Sequence, residues 1–285
     1  MTSAPPARAP ALSGLVRATH ALPTLAVTVF FTATAVAAGL GAARCVLLAA
    51  AVLVGQTSIG WANDYVDAPL DRAAHRGDKP VAAGAVRREL VGRCAAVALL
   101  ADVPLSLALG WRPGAAHLVA VGSAWLYDLR LKWTWASVLP FIVSFGLVPV
   151  VVATALPGAP RPQLALVAAG AACGVAAHFA NTLPDVAADA VTGVRGLPQR
   201  IGPAASTVVA ALAIAAAAAL LVIATDAAPL ALAAAATDGT AAVVVIGLAV
   251  TDGRERKQAF RLVIAAVAVL VAAFVVSGGD RLTSR

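Results

Sequence analysis

The sequence predicts an all-α fold, a polytopic membrane bundle of about nine transmembrane helices. Three observations carry that prediction. Of 285 residues, 61% are hydrophobic and only 12% are charged, against roughly half and a quarter in a soluble domain. Apolar runs of about 20 residues, enough to cross a bilayer, recur along the whole chain. The runs are continuous, whereas a membrane β-barrel would show alternating segments of about ten residues.

Nine candidate spans result, at 20–39, 43–61, 89–110, 115–132, 136–156, 163–180, 205–224, 228–250 and 259–277. The connections leave no room for a second folded unit, so residues 17–285 read as a single transmembrane domain. Residues 1–16 are rich in Pro, Ala and Ser and read as a disordered tail. They hold no apolar core followed by a cleavage site, so the first span is expected to insert and stay.

The net charge of +7 informs mainly by its placement. With the N-terminus in the cytoplasm, 16 of the 21 Lys and Arg fall inside or at inner span ends. Arg44, Arg112, Arg161, Arg281 and Arg285 then lie outside. The positive-inside rule favours this orientation. It makes the two large loops, 62–88 and 181–204, cytoplasmic. Basic charge here reads as membrane topology and excludes a nucleic-acid partner. Cys45, Cys94 and Cys173 lie in or beside spans without metal-site spacing and read as small buried hydrophobes. Trp61, Trp111, Trp133 and Trp135 sit at span ends, as an interfacial belt requires.

Against this apolar background two acidic clusters stand out, each opening a large loop. The first is Asn63, Asp64, Asp67 and Asp71, spaced N-D-x-x-D-x-x-x-D. On a helix, Asp67 and Asp71 lie about 60° and 20° from Asp64, so the three carboxylates share one face. Pro69 is expected to interrupt that helix, leaving Asp71 to a turn. The second is Asp185 and Asp189, four apart in NTLPDVAADAVTGVR. Asp64 and Asp185 are 121 residues apart, a spacing that two related helical halves would give.

Carboxylates stacked at these spacings repel, so something cationic must neutralise them. Hard oxygens with a nearby amide are a ligand set for Mg²⁺, which binds through a few carboxylates plus phosphate oxygens. Two such clusters face to face would hold Mg²⁺ with a diphosphate between them. Arg72, Arg76, Lys79, Arg195 and Arg200 lie in the same loops and suit the remaining phosphate charge. The competing reading is of solvated loops, with acid and base interspersed for solubility.

With both motifs in view, the chain resembles the UbiA superfamily of intramembrane prenyltransferases. That family has nine transmembrane helices, an N-D-x-x-D-x-x-x-D motif after the second and a D-x-x-x-D motif after the sixth. DKPVAAG (78–84), DAVTGVRGLPQRIG (189–202) and RATHALPT (17–24) resemble the family's flanking segments. A further family element pairs a Tyr with a Lys after the fourth helix. Here YDLRLKW offers Tyr127 with Arg130 or Lys132, the lysine standing one place later than usual.

The resemblance implies that Asp64, Asp67, Asp71, Asp185 and Asp189, with Asn63, bind Mg²⁺ and through it a diphosphate. Arg72, Arg76, Lys79, Arg130, Lys132, Arg195 and Arg200 would contact the diphosphate. Asn63, Gln56, Tyr127 and Asn181 would line the substrate cavity. The implied activity is transfer of a prenyl group from a polyprenyl diphosphate to a lipophilic acceptor, aromatic in some members. A membrane terpene cyclase of the same family is the alternative. A transporter or structural membrane protein is a third reading, disfavoured because polar residues gather at the cytoplasmic ends. Asp102 and Asp238 are exceptions near mid-span, and TDGT (237–240) suggests a helix break. His20, His75, His117 and His178 form no haem or zinc pair.

Overall fold

The computed structural model describes residues 11–183, 189, 193–226, 228–249, 256–277, 282 and 283. Its helices are α1 (Ala11–Ala18), α2 (Ala21–Ala37), α3 (Ala42–Ala73), α4 (Arg88–Ala108), α5 (Trp111–Leu129), α6 (Leu139–Ala155), α7 (Leu164–Thr182), α8 (Leu197–Ile201), α9 (Pro203–Ala224), α10 (Pro229–Ala249) and α11 (Arg256–Ser277). Short 3₁₀ turns at Leu131–Trp133 and Trp135–Val138 join α5 to α6. No strand occurs among the described residues, only an isolated bridge between Pro162 and Thr283.

Each of the nine predicted spans is occupied by a helix. Of the described helices, α3, α4, α6 with its preceding turn, α7 and α9 are long and apolar enough by themselves to cross a membrane. The pair α1–α2, bent by 57°, adds a sixth crossing if counted as one. The long helices follow one another around the bundle, and α11 returns against α2 to close the ring. Alanine dominates the packed seams, for example Ala210, Ala211, Ala217 and Ala218 of α9. Without a hydrophobic force between helices in lipid, small side chains gain association by close approach.

Three expectations change. Residues 11–16, assigned to the disordered tail, belong to α1, where Leu15 packs against the small core of Ala18, Ala68, Val81, Val86 and Val91. The Trp61 indole N–H donates to the Leu15 carbonyl at 3.0 Å and fixes this segment to α3. Residues 237–240 are not a break; they lie inside the continuous helix α10.

The third change is at Pro69. The helix runs through it to Ala73, so Asp71 is helical. A proline removes the hydrogen bond to the carbonyl four residues back, which here is Tyr65. The Arg88 Nε–H donates to that carbonyl at 2.8 Å, and the guanidinium lies 4.5 Å from the Tyr65 ring centroid. The first residue of α4 thus replaces the bond that Pro69 deletes. Pro149 likewise frees the carbonyl of Phe145 on α6. Gly170 of α7 presses on it, and a Cβ there would sit 2.5 Å from that oxygen.

This account predicts a non-additive pair. Arg88→Ala should cost about 1 kcal/mol, the scale of one charge-assisted hydrogen bond. In a Pro69→Ala background the residue 69 amide can bond Tyr65 itself, and the cost should largely vanish. Thermal unfolding of the four proteins in detergent checks this.

Candidate functional site

The first acidic cluster lies on the last turns of α3, where two loop segments and α5 close over it. Asp64 is 1% exposed. Its Oδ1 accepts from Lys79 Nζ at 3.0 Å and lies 2.8 Å from His20 Nε2. Its Oδ2 is buried with no partner.

Local sequence explains how these two side chains arrive. His20 stands in the bend between α1 and α2 with φ 53° and ψ 56°, a left-handed conformation that His tolerates better than most residues. Gly60 lets that bend approach α3, because a Cβ at 60 would collide with the Thr19 carbonyl. Lys79 comes from the loop 74–87, which is plugged into the small core by Val81 and Val86. Arg17 Nη2 donates to the Asp78 carbonyl at 3.0 Å, and Arg76 grips the Asp78 carboxylate through Nε and Nη2, each at 3.0 Å. Those Arg76 hydrogen bonds hold the Asp78 carboxyl below the usual carboxylate range. Their contribution is therefore present at neutral pH and fades as the pH falls through the folded Asp78 pKa.

Asn63 distributes its amide across the cluster. Its Nδ2 donates to Asp67 Oδ2 at 3.0 Å and to Asp128 Oδ1 at 2.9 Å, and its Oδ1 accepts from Lys79 at 3.4 Å. Lys132 Nζ pairs with Asp67 Oδ1 and lies 4.7 Å from the Trp133 ring centroid. Asp71 is half-buried in the following turns of α3. The 3₁₀ turn decides which basic residue of YDLRLKW serves the site. Lys132 is turned inward and is 5% exposed, whereas Arg130 is exposed.

Of the second cluster, Asp185 lies outside the described residues. Asp189 is half-buried, and Gln199 Nε2 of α8 donates to its Oδ2 at 2.7 Å. Arg200 Nε donates to the Arg195 carbonyl at 2.7 Å, and its guanidinium lies 5.0 Å from the Trp135 ring centroid. Arg195 and Arg72 are exposed, as is Asn181, while Gln56 is half-buried. The Tyr127 ring meets Phe141 and His178 edge-on, with centroids 5.2 and 5.9 Å apart.

Two members of the site escaped the sequence reading. His20 lies within RATHALPT, but spacing shows only that it forms no haem or zinc pair. Asp128, 2% exposed, stands inside the quoted YDLRLKW between the tyrosine and its cations. The deeper ionisable residues lie apart. Ser106 Oγ donates to Asp102 Oδ1 at 3.0 Å and lies 2.8 Å from His117 Nδ1. Asp238 is fully buried, with neither carboxylate oxygen partnered.

Among the described residues no three His, Cys, Asp or Glu are already arranged around a metal position. The first cluster is instead neutralised from within, by Lys79 and Lys132, with His20 in hydrogen-bond distance of Asp64. Helix-borne carboxylates, an orphaned buried oxygen and inward-turned lysines define an acid–base site at one end of a membrane bundle.

The family follows from comparison. The model of the UbiA prenyltransferase family matches residues 10–270, and the chain belongs to that family. No curated protein matches it. Among solved structures it is similar to a UbiA homologue from Aeropyrum pernix K1, with 22% identity over 87% of this chain and 97% of that one, and a TM-score of 0.69. A structure described for digeranylgeranylglyceryl phosphate synthase in membranes shares 13% identity over 95% of this chain and 99% of that one, with a TM-score of 0.69. A UbiA homologue from Archaeoglobus fulgidus, bound to GPP and Mg²⁺, shares 14% identity over 91% and 99%, with a TM-score of 0.66. At these identities the likeness is one of fold.

Lys132→Ala should destabilise the protein by about 2 kcal/mol, because Asp67 would be left without its buried counter-ion. Arg130→Ala should stay within about 0.5 kcal/mol, as exposed substitutions do. Thermal unfolding in detergent separates the two.

Proposed function

We propose that this protein is an integral membrane prenyltransferase. It transfers a prenyl group from a polyprenyl diphosphate to a lipophilic acceptor and releases diphosphate at the cytoplasmic face. The observation that carries this reading is the buried carboxylate cluster of α3, with Asp64 Oδ2 unpartnered and Lys79 and Lys132 facing it. Hard carboxylate oxygens, one of them orphaned, fit Mg²⁺. Asp64, Asp67 and Asp71, with Asn63 beside them, would hold it from the first motif. Asp185 and Asp189 would do so from the second. The relative from Archaeoglobus fulgidus, solved with GPP and Mg²⁺, supports that pairing of ligands.

When bound, Mg²⁺ neutralises charge developing on the departing phosphate oxygens. Lys79 and Lys132 are within reach of the same place and take phosphate oxygens as their carboxylates are engaged. The C–O bond of the prenyl diphosphate breaks, with its electron pair leaving on the diphosphate. A carbon or heteroatom of the acceptor forms the new bond to that prenyl carbon and then loses a proton. The apolar bundle keeps water from the allylic cation, which would otherwise become an alcohol.

The protein in nanodiscs, given geranyl, farnesyl and geranylgeranyl diphosphates with a lipid extract, should release diphosphate only with Mg²⁺. Asp64→Asn should lower that release about a hundredfold or more, the scale seen when a group that stabilises transition-state charge is lost. Release that needs the extract identifies a transferase. Release without it, yielding a cyclic product, would replace this reading with a cyclase. Release indifferent to Mg²⁺ and to Asp64→Asn would overturn both.

A further inference from the structure

The second acidic motif is carried by a segment that leaves α7 and returns through α8. Both ends of that segment meet one side chain outside it. Ser137, fully buried, accepts the Leu197 amide N–H of α8 at 2.8 Å. The same hydroxyl oxygen lies 3.0 Å from Nε2 of His178 on α7. With the Leu197 amide donating, the Ser137 hydroxyl hydrogen is free to donate to His178 Nε2. One hydroxyl thus joins the helix where the segment begins to the helix where it ends.

Ser137 belongs to the α5–α6 linker, which also carries Lys132. The surrounding contacts make linker and α8 one unit. Gly196 fits against the linker so closely that a Cβ would lie 2.7 Å from the Lys132 carbonyl and 3.0 Å from Ser137 Oγ. Arg200 Nη2 donates to the Trp133 carbonyl at 3.4 Å. From α8, Gln199 reaches Asp189. From the linker, Lys132 reaches Asp67. A path through side chains and the intervening backbone of α8 and the linker therefore runs from Asp189 of the second motif to Asp67 of the first, and Ser137 is its joint.

We propose that Ser137 is a positioning residue that fixes the second acidic motif relative to the first, with Gln199 as the arm that holds Asp189. This rests on the reading of the two motifs as a shared diphosphate clamp. Holding α8 against the linker fixes where Gln199 stands, and with it the hydrogen bond to Asp189, before ligand arrives. Ser137 touches no reacting atom in this scheme. Its loss acts on binding through the two motifs.

The test uses the full chain in nanodiscs, with Mg²⁺ and inorganic pyrophosphate as probe. Two readouts are taken on each variant, hydrogen–deuterium exchange of the peptide covering 193–202 and pyrophosphate affinity by calorimetry. Ser137→Ala should speed exchange in that peptide and weaken pyrophosphate about tenfold, the scale of one buried hydrogen bond. Gly196→Ala, whose added Cβ forces α8 off the linker while the Ser137 side chain is kept, should do the same. Gln199→Leu should weaken pyrophosphate, and its combination with Ser137→Ala should be no worse than the worse single variant. Ser58→Ala removes an equally buried hydroxyl, which accepts from Trp125 Nε1 at 3.1 Å. It should leave both readouts unchanged. Faster exchange with unchanged affinity would overturn the positioning role and leave a merely structural bond. Unchanged exchange in Ser137→Ala would overturn the joint itself. If the unsubstituted protein fails to bind pyrophosphate with Mg²⁺, the clamp reading falls and takes the positioning role with it.

Discussion

The burial of the Asp64 carboxylate is the constraint on which the rest of this structure depends. A carboxylate withdrawn from water at the end of an apolar bundle is costly unless cations and hydrogen-bond donors surround it. Much of the neighbouring sequence supplies them. The left-handed backbone at His20 and the missing side chain at Gly60 bring an imidazole to Oδ1. The plug of Val81 and Val86 brings Lys79 to the same oxygen. Asn63 then links this group to Asp67 and Asp128, so one amide ties Lys79, Asp67 and Asp128 together. The remaining oxygen, Oδ2, is the unsatisfied valence in an otherwise closed network.

The site also depends on how far α3 extends. Had the helix ended at Pro69, Asp71 would hang from a turn and the three carboxylates would not share a face. The helix continues because the lost backbone bond is replaced from 23 residues away by Arg88. The same arginine begins α4, so repairing α3 also sets where the next helix starts. Stability and site geometry share that contact, and the loop between them carries Lys79 as a consequence.

The features legible in the sequence were those with a local cause. Apolar runs gave the position of each long helix, because burial in lipid imposes length and composition directly, but not the extension of α3 from 61 to Ala73, which is polar. The spacing of Asp64, Asp67 and Asp71 gave their common face, because helix periodicity needs no tertiary information. What escaped had distant causes. Nothing near Pro69 announces that Arg88 will complete it. The choice of Lys132 over Arg130 turns on a three-residue 3₁₀ turn, which sequence periodicity does not announce. The helix at 11–18 is docked because Leu15 and Ala18 are received by Trp61 and the small core. Asp128 and His20 looked incidental because each meets the site through Asn63 or Asp64, about a helix bundle's width away in sequence terms and next door in space.

The division of labour between helices and connections has a mechanical consequence. Asp64, Asp67 and Asp71 sit on α3 and Asp128 on α5, so the acidic groups are carried by packed helices. Their partners come from connections: the His20 imidazole from a bend, and the counter-charges Lys79 from a loop and Lys132 from a 3₁₀ turn. Carboxylates on packed helices keep their spacing, since helices move only as bodies. A lysine on a connection can exchange one partner for another by rotating its own side chain. A doubly charged guest could therefore be accommodated by redirecting Lys79 and Lys132 from carboxylate to phosphate, with the helices left in place. Internal neutralisation without the guest and charge transfer to it with the guest are then two settings of one frame. The buried joint at Ser137 ties the second motif to the connection that carries Lys132, so the part that moves is the side chain and not the backbone beneath it.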